Sequence, residues 1–283
     1  MQKAAPQAYD FGTNWRSFVD EYLDAERVDH AAASLKEFLR LESLAGLSFL
    51  DIGCGSGLFS LAAERLGAAR VVSVDVDRGS VDCCRELRRR EGDPESWTVT
   101  AASVLDRDFV EGFGQFDVVY SWGVLHHTGD LWQAVRNAAA CVKPGGLLYI
   151  AIYNKADGIG LYSDGRFGPS PFWELEKKAY VGLPRWAQRC VDGVVAAGLV
   201  ASYLVTFKNP VQQMRRHKTL RGMSWMVDIR DWLGGYPYEY ASVAEVFGRV
   251  RHELGFSLEN LTSTNSLRCN EYLFRRPAAR NDV

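Results

Sequence analysis

Neither sign of charge dominates this chain. Its 33 Lys and Arg face 35 Asp and Glu, a formal net charge of −2. That balance argues against a nucleic-acid partner, because such proteins carry clustered positive charge. No CxxC pair occurs among the cysteines at 54, 83, 84, 141, 190 and 269, and adjacent Cys83 and Cys84 cannot easily bridge. A disulfide framework and a zinc site are excluded by that spacing, and reduced thiols in a cytoplasmic protein are expected. No apolar run reaches the roughly 20 residues of a spanning helix; the longest, 194–207, is broken by Gly198, Ser202 and Thr206. The opening MQKAAPQAYDFG has no apolar h-region, so no secretory signal is expected. Tandem repeats and low-complexity tracts are absent as well.

What is present is ordinary globular composition, 47% apolar and 24% charged, which excludes wholesale disorder. At 283 residues the chain is long enough for one full core with a substantial addition. Aromatic residues make up 12%, with eight Trp. Residues 1–47 read as helices, with Trp15, Phe18, Val19, Tyr22 and Leu23 at three- and four-residue steps, then Ala33, Leu35, Phe38 and Leu39. Short apolar runs at 48–52, 71–76, 97–101, 116–121 and 147–153 then alternate with helical patterns at 58–66, 81–90 and 131–142. That alternation predicts an α/β fold, a parallel sheet with helices on both faces. It stops at Asn154 and resumes with a helix at 242–254 and strands at 256–262 and 270–274. An inserted helical cap over 154–240 is therefore expected, dividing the core into 48–153 and 241–283.

The segment Phe49-Leu50-Asp51-Ile52-Gly53-Cys54-Gly55-Ser56-Gly57 ends a strand and opens a helix. Glycines at 53, 55 and 57 let the backbone approach a ligand at the carboxyl edge of the sheet. The spacing is G-x-G-x-G. A dinucleotide fingerprint needs Gly at 58, where Leu stands, and a phosphate loop needs G-K-[ST], which is absent. Asp75, twenty positions after Gly55 at the end of the second strand, is an acid placed to accept both ribose hydroxyls of a nucleoside. A glycine loop alone reads as a tight turn; the loop and the strand-end acid in this order read as a nucleoside site.

The segments LDIGCGSG, VVSVDVD, ASVLD, FDVVYSWGVLHH and VKPGGLLYIAIY, in that order over 48–153, resemble the class I S-adenosylmethionine-dependent methyltransferases, and among them the quinone-methylase-like small-molecule enzymes. The resemblance implies a Rossmann-like, seven-stranded, mostly parallel sheet. It implies S-adenosyl-L-methionine as cofactor and S-adenosyl-L-homocysteine as product. Asp51, Gly53, Cys54, Gly55 and Gly57 would lie near the methionine part, with Ser121 at its end. Asp75 would take the ribose hydroxyls and Val76 would lie beside the adenine. Ser103 and Val104 would meet the adenine edge, where the family often has Asp at the position of Ser103. Methyl transfer is an in-line displacement from an already activated sulfonium. The protein must align the nucleophile and, for a hydroxyl, remove its proton. No metal is expected, and no metal-ligand spacing occurs.

Trp122-Gly123-Val124-Leu125-His126-His127 leaves the fourth strand over the expected methyl position. An imidazole suits a base near neutral pH, so His126 or His127 is the catalytic candidate; the alternative is a pair that only holds the loop. The cap segment DWLGGYPYEY sets aromatics around two carboxylates, which suits a ring or sugar. Asp231, Tyr236 and Glu239 are the candidate substrate contacts there, with Tyr153 and Asn154 at the end of the fifth strand. Trp15 and Phe11 are expected to fold over the cofactor mouth. The apolar stretch 184–207, followed by Lys208, Arg215, Arg216, His217, Lys218 and Arg221, reads as an internal cap helix, a dimer face or a peripheral membrane contact. A monomer or homodimer is expected.

The expected function is methyl transfer to a small molecule, at a hydroxyl of a glycan or secondary metabolite. Alternatives are a quinone or other lipid acceptor at a membrane surface, N- or S-methylation, RNA methylation, and a non-catalytic module that keeps the cofactor fold.

Overall fold

The computed structural model describes residues 25–106, 108, 112–156, 169–214 and 225–279. Trp15, Phe11 and the basic residues at 215–221 lie outside them. Helix α1 (Ala25–Leu39) precedes β1 (Ser48–Ile52), α2 (Leu58–Arg65), β2 (Arg70–Asp75), α3 (Arg78–Arg90) and β3 (Trp97–Ala101). Then come β4 (Phe116–Trp122), a single 3-10 turn at Leu125–His127, α4 (Leu131–Ala140) and β5 (Val142–Tyr153). Helices α5 (Pro169–Val181), α6 (Arg185–Val205) and α7 (Trp225–Gly234) follow. The chain closes with α8 (Val243–Gly248), a π turn at Arg249–Glu253, β6 (Ser257–Thr262) and β7 (Cys269–Arg275).

The sheet runs β3-β2-β1-β4-β5-β7-β6. Strands β1 to β5 pair in parallel, and β7 enters antiparallel between β5 and β6. The chain winds outward from β1 to β3, then crosses back to β4. The carboxyl ends of β1 and β4 therefore flank a topological switch point, where open α/β sheets hold ligands. All five residues of β1 are buried, as expected of a central strand covered on both faces.

Side-chain alternation divides the sheet into two cores. Leu50, Ile52, Val72, Val74 and Val119 face α4 and α8 through Ala134, Val135, Ala138 and Val246. Phe49, Val71, Val118 and Tyr120 face α1 to α3 through Leu35, Phe38, Leu61 and Leu87. Helices α3 and α4 start on side-chain caps. Asp77 accepts from the amides of Gly79 and Ser80, and Asp130 from that of Gln133; such a cap contributes about 1 kcal/mol. The Asp77 cap is why α3 begins at Arg78, three residues before the apolar pattern starts.

Helices α5, α6 and α7 form a third, smaller cluster around Tyr180, Ile229 and Leu233. Buried Asp192 ties them together: it accepts from the Tyr180 hydroxyl at 2.6 Å and from Arg230 Nε at 2.9 Å. The stretch that carries them leaves and rejoins the sheet at one place. Asn154 bridges Ala241, and the amides of Ala241 and Lys155 donate to the carbonyls of Tyr153 and Ala241.

Candidate active site

Strand β1 ends at a chain reversal in which Gly53, Gly55 and Gly57 all take positive φ. Two of these positions have no room for a side chain. A Cβ on Gly53 would overlap Val124, and one on Gly57 would come within 2.6 Å of Cys84 Sγ. The glycine loop is thus wedged between the β4 loop and α3. The amides of Gly53 and Cys54 donate to the Val74 carbonyl, and that of Gly55 to Asp75 Oδ2 at 3.0 Å. Asp75 Oδ1 accepts from the Asp77 amide. Each carboxylate oxygen keeps a second acceptor site, enough for a diol. Val76 is 71% exposed, an apolar group presented at the lip where a base would lie.

Asp51 sits one residue inside this edge, between Ser73 of β2 and Tyr120 of β4. It is buried, and its Oδ2 accepts from Ser60 Oγ at 2.6 Å. Ser60 lies 2.5 Å from Ser73 Oγ, which accepts from Trp97 Nε1 at 2.7 Å. Burial pushes the Asp51 carboxyl up to about 7, against the Ser60 hydrogen bond that favours its charged form. Burial likewise raises Asp75, and its backbone hydrogen bonds oppose that.

Ser121 is buried with its hydroxyl on the Ile52 carbonyl. Ser103 accepts from the Leu105 amide to shape a turn, and buried Val104 packs in the first core with its carbonyl on Asn137. Cys54 is buried beside Cys84.

The His loop is zipped to the segment 237–239. His127 Nδ1 lies 2.7 Å from the Pro237 carbonyl, and the Glu239 amide donates to the His126 carbonyl. Glu239 then accepts from the amides of Gly129 and Leu131 at 3.0 Å each, so its carboxylate holds the loop into α4. Because a carbonyl only accepts, His127 carries its proton on Nδ1 and its lone pair on Nε2. Burial is the main cause that lowers His127 to about 4, with Lys177 adding to it and the Pro237 bond opposing. His126 is fully buried, and burial pushes it well below its ordinary value. Its Nδ1 faces the Tyr153 amide at 3.4 Å, and its Nε2 has no hydrogen-bond partner among the described residues.

Aromatic rings continue outward from the pair. The Tyr153 ring lies 4.0 Å from His126 and 5.1 Å from Tyr238, and edge-on to Trp232 at 6.2 Å. Trp232 meets Trp173 at 5.5 Å. Of the expected substrate contacts, Tyr153 stands in this cluster. Tyr236 is half-buried two residues before Tyr238, and Asp231 belongs to α7 with its side chain outside the described set. Asn154 is engaged elsewhere: its side chain pairs with Asn270 and the Ser266 carbonyl, beside a cleft of about 280 Å³ lined by Lys155, Val243 and Thr264. Lys177, Ser60, Ser73 and the Pro237 carbonyl were not singled out in the sequence. Ser73 and Pro237 stand inside segments quoted there, but only folding shows what they contact.

Residues 50–150 match the family described as methyltransferase domain. The ubiquinone biosynthesis O-methyltransferase of Caulobacter vibrioides is 34% identical over 110 residues, 39% of this chain and 42% of the relative. Its namesake from Methylobacterium sp. is 36% identical over 114 residues, 40% and 44% of the two chains. The chain thus spans less than half the length of these curated relatives. Among solved structures, an O-methyltransferase family protein from Burkholderia thailandensis superposes with a TM-score of 0.52 at 18% identity, covering 89% of this chain and 56% of that one. Magnesium protoporphyrin IX methyltransferase from Synechocystis PCC 6803, solved with bound S-adenosylhomocysteine, gives 0.51 at 16% identity and 93% coverage of both. Among the described residues no cluster of His, Cys, Asp and Glu could hold a metal ion. The strand order, the glycine loop with its strand-end acid and the family match agree over the same residues: 50–150 match a methyltransferase domain and take the class I, S-adenosylmethionine-dependent methyltransferase fold.

Proposed function

We propose that the protein transfers the methyl group of S-adenosylmethionine to a hydroxyl oxygen of a small molecule, with His127 as the general base. The observation that carries this is the pinned tautomer of His127, on a loop whose Val124 packs into the glycine turn. The residues fit the cofactor. The turn at Gly53 and Gly57 is closed to any side chain, and Asp75 at the end of β2 with exposed Val76 after it supports a ribose and a base bound beside that turn. When bound, the cofactor supplies an electrophilic methyl on a sulfonium that leaves as a neutral thioether. Asp51 offers a carboxylate to the cationic methionine end, and Asp75 offers two oxygens to the ribose. His127 stays neutral at physiological pH and takes the acceptor proton at Nε2, while Pro237 stabilises the imidazolium by accepting from Nδ1. His126 lends its ring to the wall of the site.

Residues 154–240 act as the cap that selects the acceptor. Rings from Tyr153, Trp173, Trp232 and Tyr238 favour a planar acceptor over an aliphatic one. A glycan or secondary-metabolite hydroxyl remains within reach. The relatives' names favour oxygen as the methylated atom and a quinone-type ring as its carrier. The exposed apolar face of α6 supports a second element of this reading, acceptor capture at a lipid surface.

The test separates binding from turnover: calorimetry with S-adenosylhomocysteine, then methyl release over phenolic, glycosidic, amine and thiol acceptors. His127→Gln is expected to lower kcat by about 10²-fold or more with cofactor affinity within about threefold of the parent. Near-normal turnover removes His127 as base. Cofactor binding without turnover on any acceptor favours a non-catalytic module.

A further inference from the structure

Lys177 of α5 is 1% exposed, a burial that lysine rarely accepts without a counter-ion. Its ammonium lies 4.1 Å from the ring centroid of Trp232 and 5.2 Å from that of Tyr238. No carboxylate among the described residues lies within ion-pair distance of it. Its sequence neighbour Glu176 favours the charged form from farther off, while burial brings the ammonium down to about 8. It therefore remains mostly protonated at neutral pH. Cation–π contacts return only part of the hydration an ammonium loses on burial. The same aromatic cluster holds two polar groups without a hydrogen bond of good geometry among the described residues: the Tyr238 hydroxyl, which Ser170 approaches, and His126 Nε2. Tyr153 links His126 to Tyr238, its ring 4.0 Å from the first and 5.1 Å from the second.

We infer that this cluster is an acceptor subsite in which Lys177 binds an anionic oxygen, a carboxylate or a phenolate, carried on a planar ring. The ring lies among Tyr153, Trp232 and Tyr238, and the anion supplies a counter-charge that the described residues do not give Lys177 within ion-pair distance. The inference rests on the methyl-transfer reading for the site's purpose, but binding can be read without turnover. A phenolate held there would be a nucleophile already relieved of its proton; a carboxylate would anchor a ring whose hydroxyl turns to His127.

The test measures binding of two matched pairs to the full chain saturated with S-adenosylhomocysteine: benzoate against methyl benzoate, and 4-nitrophenol against 4-nitroanisole. The expected result is a preference of about tenfold or more for the anion in at least one pair, since a charge-assisted hydrogen bond is lost in the neutral partner. Preference in the first pair assigns a carboxylate, in the second a phenolate. For 4-nitrophenol the bound phenolate absorption band should also appear at lower pH than in free solution. Lys177→Met should abolish preference and band shift while keeping S-adenosylhomocysteine affinity, which shows the fold intact; Lys177→Arg should keep part of the preference. Equal binding of acid and neutral probe in both pairs overturns the inference, as does a preference that survives Lys177→Met. Anion preference in a protein that methylates no acceptor would sink the methyl-transfer reading and leave the subsite standing.

Discussion

At the scale of single residues, Asp51 shows how burial and hydrogen bonding contend. Indole only donates, so Ser73 must accept from Trp97, and its own proton turns to Ser60, whose proton turns to Asp51. The chain Trp97, Ser73, Ser60, Asp51 is thus polarised in one direction and ends on a carboxylate. Burial still wins, holding Asp51 at about 7. Its folded pKa lies above the unfolded value of 3.8, so its favourable contribution is complete below about pH 4 and is lost as pH rises through 7. A cationic ligand group reverses this preference by favouring the charged form. Affinity for S-adenosylhomocysteine should therefore fall as pH drops from 8 to 6, by up to about tenfold. Calorimetry across that range checks it; Asp51→Asn should bind more weakly at pH 8 and lose the slope, and an unchanged slope in that variant refutes the assignment. His127 titrates elsewhere. Lowered to about 4, it stays a base down to pH about 5, so it puts no inflection near 6.5 into kcat at saturating cofactor.

At the scale of elements, α6 stands out among the described residues for its exposed apolar surface. Only 6% of its 18-residue apolar stretch is buried, and Trp186, Val194, Leu204 and Val205 are each at least 60% exposed. Phe172 and Leu175 on α5 add to the apolar surface. One helix of this length and hydropathy is able to cross a membrane by composition alone. Yet Asp192 anchors it sideways to Tyr180 and Arg230, which suits a helix lying at an interface rather than through it. Co-sedimentation with anionic vesicles is the measurement. Binding at low salt that weakens at moderate salt is expected, and Val194→Glu with Leu204→Glu should abolish it; sedimentation absent at both salts ends the membrane reading.

At the scale of the whole molecule, helices α5, α6 and α7 pack around a cluster of their own beside the sheet. Their core around Tyr180, Ile229 and Leu233 is separate from the two cores that cover the sheet, and the stretch begins and ends at the Asn154–Ala241 bridge. Replacing 157–235 with a short glycine-serine linker should leave a cooperatively folding protein. It should bind S-adenosylhomocysteine within about threefold of the full chain and lose acceptor binding, because Lys177, Trp173 and Trp232 go with the excised part. Loss of cofactor affinity or of cooperative unfolding would show that the stretch is integral to the core.

The elements of the sheet were legible residue by residue. Buried parallel strands are continuous apolar runs, the helices between them keep their apolar stripe, and the turn at Gly53–Gly57 needs backbone freedom that only glycine has. Boundaries shifted where a cap or a pairing decided them: β5 starts at Val142 because that residue already pairs with Phe116. Asp51 and Asp75 were readable from their place at strand ends. Lys177 was not, because a lysine in KKAY looks like a solvated helix face until α7 folds over it. Glu239 looked like a substrate contact, and packing turned it into a brace for two backbone amides. Local periodicity and backbone chemistry act along the chain, so the sequence by itself determined the sheet, its order of elements and the cofactor edge. Burial, ring stacking, tautomer and pKa depend on groups far apart in sequence, so only the tertiary structure decided which ring nitrogen of His127 carries the proton and that Lys177 is buried among aromatic rings.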